Sequence, residues 1–326
     1  MSSNVIDADL LAKLCALRPG CKSRTLEGAR WGVLLIPPVI KQPPATKNVL
    51  RLVLFASLWI GQAALQAIAA YLERYSNRVQ LVGVVTDDPV SLNARISLRK
   101  RAWAFMSESE RLALKLELVE CALAAGAPVY TGEVKTPGFR RVLAEWQPDA
   151  IITCGFGQVL DTALLDAAPS GAYNCHPTDL AKGYGAGPAP WEDMATRNVT
   201  HTVWSVHQMT EIVDKGPVIG QTAQINLADS QGRLVRDPQA FVYKILPPIG
   251  WMILQTLDSL VRQREQGVRG LLSHVELDAP MPLTLRRQML QPVNSNWRDT
   301  PIPTPSREVL DAFCYAPKTG AAILVS

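Results

Sequence analysis

"VLRLVLFASLWIGQAALQAIAAYLERYSNRVQLVGVVTD", residues 49–87, decides the fold class. "VLRLVLFAS" is a nearly continuous apolar run, as expected of a strand covered on both faces. "QAALQAIAAYLERY" follows with apolar residues at helical spacing, and "VQLVGVVTD" is a second apolar run. Strand, helix and strand within about forty residues make a βαβ unit, which requires parallel strands and helices to cover them.

The same register continues downstream. A helix is expected through "ERLALKLELVECALAAG", a short strand at "PVYTG", a helix at "GFRRVLAEW", then strands at "DAIITCGFG" and "GAYNCHP". "HTVWSVHQM" alternates as a partly exposed strand, and "AFVYKILPPIGWMILQTLDSLV" reads as a helix interrupted or restarted at Pro247-Pro248. The expectation is an α/β fold: a Rossmann-like, mostly parallel sheet with helices on both faces, plus an N-terminal extension and an irregular C-terminal tail. Residues 1–48 form the extension, in which "WGVLLIPPVIKQPPATKN" sets a short apolar strand before two stiff Pro-Pro pairs. Residues 49–265 form the main domain. Residues 266–326 are rich in proline without sustained periodicity, a tail or small subdomain.

Composition narrows the function classes. Among 326 residues, 48% are hydrophobic and 19% charged, the balance of a globular chain rather than a disordered one. A net charge of +4 from scattered basic residues gives no footprint for nucleic acid. Cys15, Cys21, Cys121, Cys154, Cys175 and Cys314 form no CxxC pair, and three sit inside apolar runs, which suits buried thiols in a reducing compartment. The first twenty residues carry acidic groups and no apolar core of a secretion signal, and no apolar run approaches membrane-spanning length. A cytoplasmic protein without a membrane or nucleic-acid partner is expected.

In open parallel sheets the ligand crevice lies outside the carboxyl ends of the strands. Cys154 to Gly157 and Asn174 to His176 both fall at such ends. Residues i and i+2 of a strand point to one side, so Asn174 and His176 share a face while Cys175 turns to the other. Pro177 then forces the chain to turn. An amide N–H donor beside a titratable imidazole suits a carbonyl whose oxygen gains negative charge under attack. The same pair could equally cap the strand and hydrogen-bond the loop that follows. Downstream, Asp214 precedes Lys215-Gly216-Pro217, a tight turn, and a carboxylate delivered on a turn can orient an imidazole and hold its positive form.

Taken together, "NCHPTDL" followed after 38 residues by Asp214 in "HQMTEIVDKGPVIGQ" resembles the folate-dependent formyltransferase family. Asn174, His176 and Pro177 match its Asn-x-His-Pro motif. His207 and Asp214 match its H-(seven-residue step)-D-x-G-P-[IV]-I-x-Q stretch. "PDAIITCGFGQVLDTALLDAAPSGAYNCHP" matches the strand, glycine loop, helix and catalytic strand in order, so the likeness covers roughly residues 49–265. The resemblance implies transfer of a formyl group from N10-formyltetrahydrofolate, a co-substrate, to an amine. Asn174, His176 and Asp214 would be catalytic. Cys154, Gly155, Phe156 and Gly157, with Glu211, Ile212 and Val213, would line the folate pocket, largely through backbone. A small-molecule amine of secondary or sugar metabolism is the expected acceptor, and a homodimer a candidate assembly.

The chain departs from the family pattern in places. "TDLAKGYGAGPAPWE" has Ala181 where proline is usual and Gly185 where arginine or proline often stands, on the loop that closes over the acceptor side. Ala56-Ser57-Leu58 stand where a glycine is common, so phosphate binding there is not expected. No strand-rich segment of about ninety residues follows the core, which points away from the tRNA-binding type. Asn93 to Trp103 carries four cations where relatives have a basic loop; it could meet an anionic acceptor or the folate glutamate tail, or simply be a solvated face. Cys175 is expected to be structural, and no metal is expected: His207 should order the folate-side loop and His201 lie on a strand surface. Two rivals stay open, a formyltetrahydrofolate hydrolase and a non-catalytic folate-binding module. A dehydrogenase is not supported, because no GxGxxG follows the first strand.

Overall fold

Alternation along one central strand organises the molecule. In a computed structural model that describes residues 6–26, 28, 32–40, 48–87, 107–186, 190–229, 231–234 and 238–277, the strand Leu50–Ala56 is buried on both faces. Leu50, Leu52, Leu54 and Ala56 point into one apolar cluster, Val53 and Phe55 into the other. The period of two thus divides one strand between two cores, and helices are needed on both sides to close them.

In chain order the described elements begin with α1 (Ala8–Ala16), β1 (Lys22–Thr25), β2 (Gly32–Ile36), β3 (Leu50–Ala56), α2 (Leu58–Tyr75) and β4 (Val79–Thr86). Then come α3 (Glu108–Ala124), β5 (Val129–Gly132), α4 (Pro137–Trp146), β6 (Ala150–Cys154), α5 (Thr162–Leu165) and β7 (Ala172–His176). A 3-10 turn at Leu180–Lys182 leads to α6 (Pro190–Thr196), β8 (His201–Thr202), β9 (Ser205–Gln208), β10 (Val218–Gln221), β11 (Ile225–Asn226), α7 (Pro238–Ile245) and α8 (Ile249–Glu265). The main sheet has nine strands in the order β1-β2-β5-β4-β3-β6-β7-β9-β10. Its central strands, β5 to β7 in that order, run parallel, and the pairs outside them are antiparallel. Side chains of α1, α2, α3, α7 and α8 fill one core, while Phe139, Val142, Leu143 and Trp146 of α4 fill the other with Leu164 of α5. This is the expected α/β, Rossmann-like, mostly parallel arrangement.

Two strands from the segment read as an N-terminal extension belong to this sheet. β2 pairs with β5, placing Leu34 opposite Tyr130, and β1 closes the edge. Leu10 and Leu14 of α1 are buried in the main core. The segment "HTVWSVHQM", expected to be a partly exposed strand, is instead buried from Thr202 to His207. Its position between β7 and β10 explains the difference. Trp204 is fully buried there and donates its indole N–H to the Ile245 carbonyl at 2.7 Å. The helix does restart at the proline pair, α7 ending at Ile245 and α8 beginning at Ile249. Beyond α8 the chain is irregular up to residue 277, yet Leu272, Val275 and Leu277 are buried and Val275 N donates to the Ile219 carbonyl. The basic stretch Asn93 to Trp103, Cys314 and the rest of the tail lie outside the described residues. Among the described residues, no helix is long and apolar enough to cross a membrane.

β3 is the topological switch point. From it the chain moves to β4 and β5 on one side, and later to β6 and β7 on the other. The connections therefore diverge above the carboxyl ends of β3 and β6 and leave a crevice there. Ser57 and Cys154 meet at its floor, Ser57 N donating to the Cys154 carbonyl at 3.4 Å.

Candidate active site

Asn174 occupies the middle of β7, where β9 runs antiparallel beside it and places His207 directly opposite. The hydrogen bonds around its amide determine its orientation. Thr153, on neighbouring β6, donates its hydroxyl to Asn174 Oδ1 at 2.7 Å, which leaves Nδ2 turned away from β6. Both protons of that nitrogen have protein acceptors. One goes to His207 Nε2 at 3.1 Å, the other to Asp214 Oδ1 at 3.3 Å. His207 can accept because its Nδ1 lies 2.9 Å from the Gln208 carbonyl, which only accepts. The ring proton therefore sits on Nδ1.

Asp214 reaches this cluster from the connection between β9 and β10. Its backbone takes φ +55°, a left-handed conformation uncommon for residues other than glycine but tolerated by Asp and Asn. Gly216 makes the turn feasible, because a Cβ there would stand 1.7 Å from the Gln208 carbonyl oxygen. The strained turn delivers the carboxylate into the interior, where its side chain is only 7% exposed. Oδ2 lies 3.6 Å from His176 Nε2 and Oδ1 lies 3.6 Å from His207 Nε2. One carboxylate thus faces two imidazoles and one amide. Asn174, His176 and Asp214, the three residues expected to act together, converge within hydrogen-bonding or ion-pairing reach.

The expected folate-side residues lie in two segments, here called lips, the first following Thr153 at the end of β6 and the second preceding Asp214. In the first, Cys154 is fully buried and Gly155 adopts φ +68°. A Cβ at Gly155 would lie 2.7 Å from the Ser57 carbonyl oxygen, so the strand end can only turn here with glycine. Phe156 packs edge-on against Phe55, with ring centroids 5.1 Å apart. Gly157 donates its backbone N–H to the Asp87 carboxylate. In the second lip, Ile212 and Val213 are 67% and 50% exposed, an unusual display for large apolar side chains. Glu211 is hydrogen-bonded by the Thr162 hydroxyl, which ties this lip to the segment carrying the exposed Val159. The Cys154 and Cys175 side chains belong to the main apolar core, away from the Asn174 face. Burial, with Cys175 beside it, pushes the Cys154 thiol well above its usual range, which disfavours the thiolate needed for nucleophilic work.

Thr153 and Asp87 were not singled out from the sequence, and the direct contact of His207 with Asn174 was not anticipated. His207 was read as an organiser of the neighbouring loop, yet it hydrogen-bonds Asn174 itself; only the β7–β9 register reveals this. Thr153 was a polar residue in an apolar run, a weak signal that a strand-end hydroxyl had a partner. Asp87 directly follows β4 and is buried, accepting from Ser57 Oγ as well as from Gly157 N. Burial pushes its carboxyl up to about 6, against the opposing pull of the Ser57 hydroxyl and the Gly157 amide. His201 is exposed, with Nδ1 3.0 Å from the Thr200 hydroxyl. Among the described residues, no cluster of three or more His, Cys, Asp or Glu side chains is arranged to hold a metal.

Such an arrangement has the parts for attack on a carbonyl: an amide donor, an imidazole that can take a proton, and a carboxylate that stabilises the resulting positive charge. A family described as formyl transferase matches residues 51–248. The methionyl-tRNA formyltransferase of Syntrophus aciditrophicus (strain SB) is 34% identical over 88 residues, 27% of this chain and 28% of that protein. The methionyl-tRNA formyltransferase of Myxococcus xanthus (strain DK1622) is 28% identical over 137 residues, 42% of this chain and 41% of that protein. The chain thus spans well under half the length of these relatives. Among solved structures, glycinamide ribonucleotide transformylase 1 from Symbiobacterium toebii superposes with a TM-score of 0.49 at 18% identity, covering 67% of this chain and 90% of that one.

Proposed function

Because the chain belongs to the formyl transferase family, we propose that it transfers the formyl group of N10-formyltetrahydrofolate to the amine of a small-molecule acceptor. The observation that supports this reading is the convergence of Asn174, His176 and Asp214 at the carboxyl edge of the sheet, beside the crevice at the switch point. The residues present fit such a co-substrate: Val159, beyond the Gly155 turn, and Ile212 and Val213, before Asp214, display apolar surface that a flat ring can cover. We assign the folate side to Cys154, Gly155, Phe156, Gly157, Glu211, Ile212 and Val213. Bound there, the co-substrate supplies an electrophilic formyl carbon.

The chain's own residues do the rest. Asn174 exchanges its 3.3 Å bond to Asp214, the longer of its two donor contacts, for a bond to the formyl oxygen as that oxygen gains negative charge. His176 Nε2 takes the proton that the attacking amine must lose and returns it to the departing folate nitrogen. Asp214, 3.6 Å from Nε2, stabilises the imidazolium that exists between those two transfers. We place the reaction in the cytoplasm, in keeping with the free Cys15, Cys21, Cys121, Cys154 and Cys175.

Incubation of the pure protein with formyl-labelled N10-formyltetrahydrofolate and a small-molecule cell extract, read by mass spectrometry, tests the proposal. Label in a new amide with release of tetrahydrofolate is the expected result and identifies the acceptor class. Label recovered only as formate would replace transfer by hydrolysis. No consumption by protein that binds folate would make the chain a binding module.

A further inference from the structure

Thr178, two residues beyond His176, is fully buried and belongs to neither the expected catalytic set nor the folate lips. Its hydroxyl stands between two groups. Oγ1 lies 2.8 Å from His176 Nδ1 and 2.7 Å from the backbone carbonyl of Tyr184. A carbonyl oxygen cannot donate, so the single Thr178 hydroxyl proton is committed to Tyr184. Oγ1 must then accept from His176, and the His176 ring must carry its proton on Nδ1. The lone pair of the neutral ring is thereby placed on Nε2, the atom that faces Asp214.

The surrounding chain holds this relay rigidly. The Thr178 carbonyl accepts from Ser205 Oγ at 2.7 Å, and the Pro177 carbonyl accepts from Thr202 Oγ1 at 3.1 Å, so both residues after His176 are tied to the strands beside them. On the other side, Gly185 comes so close that a Cβ would stand 2.5 Å from the Thr178 methyl carbon. Gly185 also takes φ +58° and donates its N–H to Asp193 at 2.7 Å. The glycine that departs from the family pattern is thus the residue that leaves room for the threonine methyl.

We propose that Thr178 is a positioning residue that locks His176 in the Nδ1–H tautomer, so that Nε2 is the atom available to accept the acceptor's proton. Its kinetic consequence rests on the formyl-transfer reading, whereas the tautomer itself does not. Replacing the hydroxyl by a methyl in Thr178→Val keeps the side-chain shape, removes the acceptor for Nδ1–H and leaves the Tyr184 carbonyl without its donor. The ring then gains by moving its proton to Nε2, where it faces Asp214 as a donor and can no longer act as a base.

The test is 15N NMR of histidine-labelled protein, recorded at a pH where the ring is neutral, with steady-state kinetics on the same samples. Wild type and Thr178→Ser are expected to show Nδ1–H at His176, and Thr178→Val to show Nε2–H. The valine variant is expected to lose about tenfold or more in kcat with the KM for formyl-folate within about twofold, and serine to restore kcat. A merely structural threonine would lower thermal stability without changing the tautomer. An Nε2–H ring in the wild type overturns the proposal even if Thr178→Val fails to fold, and so does a valine variant with wild-type tautomer and kcat. An Nδ1–H wild-type ring in a protein that transfers no formyl group leaves the tautomer lock standing and removes the formyl-transfer reading.

Discussion

Asp214→Asn isolates charge from geometry better than any other change in this site. Asparagine accepts the φ of +55° that the turn imposes, and its Oδ1 can still receive the Asn174 amide proton, so the fold of the connection should survive. What disappears is a unit negative charge 3.6 Å from His176 Nε2. At that distance, with an effective dielectric of about 20, two unit charges attract by roughly 4–5 kcal/mol. Both side chains are under a tenth exposed, so solvent screens the pair little. If that attraction is expressed only while His176 carries the transferred proton, kcat should fall about a thousandfold. The assay is the initial rate of tetrahydrofolate release at saturating co-substrate, with folate affinity measured separately by calorimetry. Affinity should change little, since neither His176 nor Asp214 is among the residues assigned to the folate side. A kcat within about threefold of wild type would refute the reasoning, because it would mean no cationic imidazole forms in the rate-determining step.

Asn174→Ala should leave folate binding nearly intact while lowering kcat by about a hundred- to a thousandfold, the usual effect of deleting one donor to a developing oxyanion; equal losses in KM and kcat would point to a binding role instead. Gly216→Ala forces a Cβ to within 1.7 Å of the Gln208 carbonyl oxygen, so the turn must open; activity should collapse and the Asp214 contacts be lost, as read by kcat and by the His207 NMR signals. Asp87 adds a pH-dependent stability term. Its folded value of about 6 lies above the ordinary 3.8, so its contribution is fully present below 3.8 and is lost as pH rises through 6. Between pH 8 and pH 5 the wild type should gain on the order of 1 kcal/mol in denaturant unfolding relative to Asp87→Asn, and equal pH slopes in the two proteins would show that the carboxyl is not held neutral by burial.

Local chemistry carried the sequence reading a long way. The apolar runs of β3 and β4 with α2 between them specified a parallel unit, and the order of the later elements followed from the change between periods of two and 3.6. Strand parity alone placed Asn174 and His176 on one face and Cys175 on the other, where the core receives it. Gly216 in "DKGP" signalled the turn that delivers Asp214. Each of these inferences needs only a few neighbouring residues.

What the tertiary structure decided were the non-local pairings. No short-range pattern states that β9 docks antiparallel on β7 with His207 opposite Asn174, because register depends on both strands and on the turn between β9 and β10. Nor does the sequence place β2 against β5, nearly a hundred residues later in the chain, or show that Asp87 would meet the amide of Gly157. The Thr178 relay is of the same kind. Its threonine and its histidine are neighbours in the chain, but the proton's direction is dictated by a carbonyl six residues away on a loop that folds back over them. The sequence by itself determined which chemical groups the strand ends carry. Only the folded chain decided which of them share hydrogen bonds, since a hydrogen bond needs two groups within about 3 Å and correctly aimed.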